Sequence, residues 1–366
     1  MDFSWIKNLI EKINISFSSK KINSPSVKIK NETENRIDKA IIYQGLSYSD
    51  AKDLVESVID QKLMVFKNEA KLEYENRANE FGSLLKEKLS GLPEEEIAKL
   101  KDPDTQLALL EAATISGRKQ NKDLRGVLAD LVIHRIKNDQ TGKEELKNIV
   151  YNEAISTIGK ITSDQLKIIT LCYLLRYVSF LNINSWEAFQ GYFSKNISPF
   201  IDFNNSDSQF QHIEYAGCGS IGIGSWSLDK IYQLEYAFLF QNDITEQEIT
   251  ELGIDDELKN KFIGKKETGG FIIRLRNKQA LEKYLDDQNT ETETKKKIVD
   301  LFERKIKSTA DVRKEIEEKI DIGKKVFEAW EKNLKHLNLT SVGIAIGATY
   351  FEQITGEKID INIWIN

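Results

Sequence analysis

Residues 51–90 read AKDLVESVIDQKLMVFKNEAKLEYENRANEFGSLLKEKLS, and no proline interrupts them. Leu54, Val55, Val58, Val65, Ala70, Ala78, Phe81, Leu85 and Leu89 fall mainly on one helical stripe. The spacing predicts a single helix of about forty residues, about 60 Å long at 1.5 Å per residue. Ser47 and Ser49 offer N-caps ahead of it, Ser47 with Asp50 resembles a capping box, and Gly91 ends it. A helix of that length outruns a compact domain of this size, so its apolar positions need a cover. A symmetric second copy is the commonest cover, which makes a homo-oligomer the expectation and Phe81 and Leu85 its expected contacts.

Helical signals continue on the C-terminal side. Pro93 stands at a first turn followed by Glu94, Glu95 and Glu96, where acids suit the positive end of the helix dipole. Asp102 and Pro103 repeat the device. Helical periodicity runs through 107–115, 124–136 and 146–158, and Thr162-Ser163-Asp164 caps a further helix reaching Val178. Residues 41–180 therefore read as an α-helical body. On the N-terminal side, 1–40 read as a terminal segment and a polar linker broken by Pro25, with one short alternating stretch at 27–30.

Residues 181–290 read as a mixed α/β region. The stretch 181–225 is rich in Asn, Ser, Gly and aromatic residues, the composition of loops with short strands. Asp229 to Phe240 reads as a helix, Thr245 and Glu248 open a short helix by a capping box, and Phe271 to Arg276 reads as a strand. In 291–366, Val312, Ile316, Ile320, Gly323, Phe327, Trp330, Leu334 and Leu337 step by three or four, which predicts one long helix. Thr340 caps a shorter helix, and Ile359, Ile361, Ile363 and Ile365 alternate as a terminal strand. The expected fold is mainly α: a helical N-terminal body with long amphipathic helices, plus a smaller α+β C-terminal part with a small antiparallel sheet.

The composition fits that reading. The 366 residues are 40% hydrophobic and 30% charged, an ordinary globular balance. Only four prolines favour long uninterrupted helices. A net charge of −6 argues against a surface that coats nucleic acid everywhere, yet leaves room for a local basic patch. Two lone cysteines suggest a reducing compartment without a disulfide framework. No leader or membrane-spanning run stands out, because 339–351 is too short to cross a bilayer. The expectation is a cytoplasmic protein.

Motifs that carry chemistry are sparse. Gly217-Cys-Gly-Ser-Ile-Gly222 matches G-x-G-x-x-G literally, but no helix opens at the required place after it, so a turn or bulge is the expectation. His134, His212 and His336 each stand alone, and His212, Glu214 and Cys218 lack metal-ligand spacing. No catalytic set, cofactor site or metal site is nominated, and an enzyme is the less favoured class. One basic patch stands out: Lys265, Lys266, Arg274, Arg276 and Lys278 flank a Gly-Gly turn and a strand. It follows three short helices in the order of a winged helix, so it is the candidate contact for nucleic acid or for a partner protein. The acidic starts of those helices, Glu246 with Glu248 and Asp255 with Asp256, favour the protein partner. Trp330 reads as core, whereas Trp364 is either packed on a second layer or exposed at an interface.

Several phrases together resemble a known family. Gly45-Leu-Ser-Tyr-Ser-Asp-Ala51, then Asp102-Pro-Asp-Thr-Gln-Leu-Ala-Leu-Leu, Asn152-Glu-Ala-Ile, Leu339-Thr-Ser-Val-Gly343 and the terminal Trp364-Ile are similar to a bacterial family whose members carry only locus-tag names. The Leu-Thr-x-x-Gly phrase is also similar to the abortive infection alpha family. The shared positions are caps, turns and core residues, so no catalytic residue carries over. The resemblance implies a bacterial intracellular protein linked to defence against phage, with a phage trigger or protein partner. The functional expectation is a non-enzymatic, helical, self-associating interaction protein; the alternative is a nucleic-acid-binding protein using the 265–278 hairpin.

Overall fold

A computed structural model describes residues 48–138, 145–224, 226–266 and 269–365. The expected N-terminal segment and linker, 1–40, lie outside the described residues. The fold is mainly α, with two small antiparallel sheets of two strands each. Among the described residues, no helix is long and apolar enough to cross a membrane. The chain forms two compact units, 1–137 and 138–366, which part inside the stretch read as one helical body.

The first unit is built on α1 (Tyr48–Ser90), which runs unbroken for 43 residues, about 65 Å. After α2 (Glu94–Ala98) come α3 (Pro103–Arg118) and α4 (Lys122–Lys137). Pro103 occupies the first turn of α3, and the Asp102 carboxylate accepts a hydrogen bond from the Thr105 N–H at 2.8 Å. The guanidinium of Arg135 on α4 lies 2.7 Å from Asp104, pinning the start of α3. The C-terminal half of α1 packs on α3 and α4, burying Ala78, Phe81, Leu85 and Leu89. Small residues set the approach: a Cβ on Gly117 would stand 2.4 Å from the ring of Tyr74.

The second unit is organised around α16 (Ser341–Thr355), whose apolar sequence is buried from Val342 to Phe351. It packs on α5 (Glu145–Ile158) and α6 (Ser163–Arg176). A capping box between Thr162 and Gln165 starts α6, and left-handed Gly356 stops α16. Gly347 lets α16 close on α6, since a Cβ there would sit 3.1 Å from the Tyr173 Cβ. The stretch 181–225 is more helical than its composition suggests, holding α7 (Trp186–Tyr192) and α8 (Asp207–Tyr215). Serine makes the difference: Ser185 caps α7 by accepting from the Ala188 N–H at 3.1 Å.

The region read as winged-helix-like holds three short helices followed by a two-stranded hairpin. It comprises α9 (Leu228–Glu235), α10 (Glu246–Glu251), α11 (Asp256–Phe262), then β2 (Ile263–Lys265) and β3 (Phe271–Ile273) paired antiparallel. Ile244, just ahead of α10, bridges to Phe271. Then α12 (Lys278–Asp287) and α13 (Thr292–Lys305) close a shared core of Ile249, Phe262, Ile273, Leu281 and Phe302.

Two elements differ from expectation. The 312–337 stripe is not one helix. It forms α14 (Thr309–Lys319), α15 (Gly323–Lys332), a 3₁₀ turn and β4 (Leu337–Leu339). Ile320 is extended, and the backbone folds back so closely that a Cβ on Gly323 would sit 2.6 Å from the Ile316 carbonyl oxygen. The stripe residues are still buried, because each half turns the same apolar spacing inward. The terminal strand does not form either; Ile361–Ile363 is a 3₁₀ turn. Its isoleucines do not share a face, since Ile363 is 70% exposed and Ile365 1%. The other small strand of that region, β1 (Gly219–Ile221), pairs with β4 instead, and an unpaired strand leaves its backbone groups unsatisfied. Asp360 instead accepts from the Asn362 N–H at 2.9 Å and starts the turn.

Candidate interaction surfaces

Among the described residues, nothing covers α1 from Val58 to Leu72. Val58, Ile59, Leu63, Met64, Val65, Phe66 and Leu72 are between 46% and 68% exposed. Scattered exposed apolar residues are ordinary, but seven within four turns of one helix are a patch. Ile59, Leu63, Phe66 and Ala70 step by four, three and four, and the same stepping continues through Tyr74, Ala78, Phe81, Leu85 and Leu89. One stripe is thus buried at its C-terminal end and bare at its N-terminal end. Val58, Val65 and Leu72 form a second row seven residues apart.

Phe81 and Leu85 are not on the bare part. They are 2% and 1% exposed and belong to the core of the first unit. Their expected role as contacts between copies is corrected accordingly, and the uncovered positions lie four to six turns earlier. Helix length is the signal that locates them. Helices α3 and α4 have 16 residues each, about 24 Å, and reach along less than half of α1.

The basic hairpin is more neutral than its sequence suggests. Lys266 is 2.8 Å from Asp243, Arg276 is 3.2 Å from Glu235, and Lys278 is 2.7 Å from Glu303. The Glu303 carboxylate holds the Lys278 ammonium above the usual lysine range. Arg276 also lies over the Tyr236 ring, 4.9 Å from its centre. Lys265 and Arg274 are exposed, and no ion pair holds either among the described residues. Asp255, Asp256 and Glu257 stand at the start of α11, the helix that precedes this hairpin in the chain. Two exposed cations outside these ion pairs offer few phosphate contacts.

The glycine-rich phrase has a packing role. Gly217 adopts φ 84° and closes α8 in a Schellman motif, with the Cys218 N–H donating to the Ile213 carbonyl at 3.1 Å. β1 then runs antiparallel to β4, which is not the strand–turn–helix of a dinucleotide site. A Cβ on Gly219 would lie 2.8 Å from the Asn338 carbonyl oxygen, and one on Gly343 only 2.0 Å from that of Cys218. The 217–222 and 339–343 phrases therefore hold each other.

The isolated polar residues stay isolated. Glu214 accepts from the Ile221 N–H at 2.9 Å, His336 contacts the Gly222 carbonyl at 3.2 Å, and His212 lies beside the Tyr215 ring. No group of three metal-ligating side chains converges among the described residues. Cys172 and Cys218 are fully buried, and burial pushes each thiol up to about 12, which disfavours the thiolate. Trp330 is core and donates its ring N–H to the Trp226 carbonyl at 3.2 Å, while Trp364 packs edge-on against Tyr173.

A family model described as “:-like” matches residues 45–365, from just ahead of α1 through both units. No curated protein and no solved structure matches the chain.

Proposed function

We propose that this chain, which belongs to the family matched over residues 45–365, works by assembly and protein contact. The observation that carries the reading is the exposed part of α1, with seven large apolar side chains between Val58 and Leu72, three of which, Ile59, Leu63 and Phe66, continue a stripe whose other end is core. Exposing such a row costs solvation free energy, about 25 cal/mol for each Å² that a contact would remove from water. A second copy presents the identical row, so self-association is the simplest cover.

The test is light scattering of the purified chain at micromolar concentration. An oligomer that Phe66→Asp dissociates supports the reading. A monomer overturns it. The link to phage defence rests on the similarity of the Leu339–Gly343 phrase alone. It is tested by phage plating on cells that express the chain, with Phe66→Asp as the assembly-deficient control. The nucleic-acid alternative rests on Lys265 and Arg274 and is weakened by the three ion pairs beside them.

A further inference from the structure

We infer that two copies pair antiparallel along residues 59–70 of α1, about a two-fold axis between Met64 and Val65. This deepens the assembly reading and rests on it. Ile59, Leu63, Phe66 and Ala70 have the four-three-four spacing of a coiled-coil seam, and all four are exposed. The seam alone does not choose a direction, because parallel and antiparallel pairing both give four apolar layers. The flanking charges choose it.

Asp60, Lys62, Lys67 and Glu69 border the seam and are all exposed. In a parallel pair, Lys62 of each copy faces Lys67 of the other, which places two like-charge contacts across the seam. In the antiparallel pair, Asp60 faces Lys67 and Lys62 faces Glu69. The two-fold axis doubles both, giving attractive contacts on each side. The layers become Ile59 on Ala70 and Leu63 on Phe66, each repeated by symmetry, so every layer sets unlike shapes together. In the strict heptad register the positions outward are Glu56 and Glu73, where the stripe of the first unit steps on to Tyr74 instead; the two acids would meet each other and repel. They bound the contact to twelve residues, about 18 Å of helix. A contact that short falls below the standard size of a permanent interface, and a reversible dimer is expected.

Charge reversal separates the two directions. Lys62→Glu would meet Glu69 in the antiparallel pair and Lys67 in the parallel one. Sedimentation equilibrium of the full chain should show Lys62→Glu weakening the dimer roughly fivefold or more, with Lys62→Glu/Glu69→Lys restoring it. Lys62 is exposed, so circular dichroism should show the variant folded. A spin label on Asn76→Cys gives an independent reading, because the native cysteines are buried and do not compete for label. Antiparallel pairing separates the two labels by about 35 Å along the axis, against about 10 Å for parallel pairing. A dimer that Lys62→Glu tightens or leaves unchanged, or labels closer than about 20 Å, overturns the antiparallel geometry while self-association stands. A monomeric wild-type chain overturns both.

Discussion

Phe81 and Phe66 lie on one helix and one continuous stripe, yet their truncation should have opposite consequences. Phe81 is 2% exposed among α1, α3 and α4, and Phe66 is 57% exposed. Phe81→Ala removes a buried ring and leaves a cavity that the closely packed α1–α3 crossing at Gly117 cannot close. Such truncations cost about 3–5 kcal/mol, the sum of lost transfer free energy and unfilled volume. Phe66→Ala removes a ring that is already half in water. Alanine is also the better helix former, so the change should cost nothing and add a few tenths of a kcal/mol to helix stability. The two effects separate in two assays. Urea unfolding followed by circular dichroism should show an early transition for Phe81→Ala, from loss of the first unit, and an unchanged curve at low protein concentration for Phe66→Ala. Light scattering in buffer should show the oligomer retained by folded Phe81→Ala and lost from Phe66→Ala. The reasoning fails if Phe66→Ala destabilises the isolated chain by more than about 1 kcal/mol, which surface positions do not do. It fails equally if Phe81→Ala dissociates the oligomer while keeping wild-type stability.

Gly343→Ala should destabilise the second unit by about 3 kcal/mol, since its Cβ would fall inside the Cys218 carbonyl, whereas exposed Gly191→Ala on α7 should stabilise slightly; thermal unfolding compares them. Burial raises the Glu315 carboxyl, but hydrogen bonds from Lys307 at 2.7 Å and Lys319 at 2.5 Å outweigh it and hold the group below its usual value. A depressed folded pKa means that stability is present above the unfolded value of about 4.3 and is lost as pH falls through the folded value. Urea midpoints between pH 6 and 3 should therefore fall less steeply for Glu315→Gln than for the wild type, and parallel curves would refute the linkage. Gel retardation at low salt should show no shift of DNA or RNA; a shift that Lys265→Gln/Arg274→Gln abolishes would move the hairpin from partner contact to phosphate contact.

Much of the architecture was legible because caps and periodicity are local. Thr162, Thr245, Asp102 and Thr340 all start helices where the sequence places them, with their side chains accepting the expected backbone N–H groups. Periodicity also identified which residues of 312–337 are buried. It did not reveal the break after Lys319, because an apolar stripe folded back on itself buries the same side chains as a straight one. The alternation at 359–365 failed for a different reason. A strand needs a partner, and sequence pattern does not show that β1 is taken by β4. The basic hairpin was overread because its neutralising acids, Glu235, Asp243 and Glu303, lie 41, 23 and 25 residues from their partners Arg276, Lys266 and Lys278, beyond any local charge pattern.

The exposed apolar row lies earlier on α1 than Phe81 and Leu85, and the difference has a physical cause. A stripe read from sequence has no marker for where its cover ends, since Phe66 and Phe81 occupy equivalent places on the helix. The cover is set by the lengths of the neighbouring helices, and those lengths were on the page: two 16-residue helices beside one of 43. Bare apolar positions must then lie at whichever end the neighbours do not reach. Helix α3 follows α1 after a short turn through α2, so it must start its return beside the C-terminal end of α1. Among the described residues, the uncovered end is therefore the N-terminal one. It carries the exposed residues Asp60, Lys62, Lys67 and Glu69, and under the proposed antiparallel pairing their alternating charges would select that pairing over the parallel one.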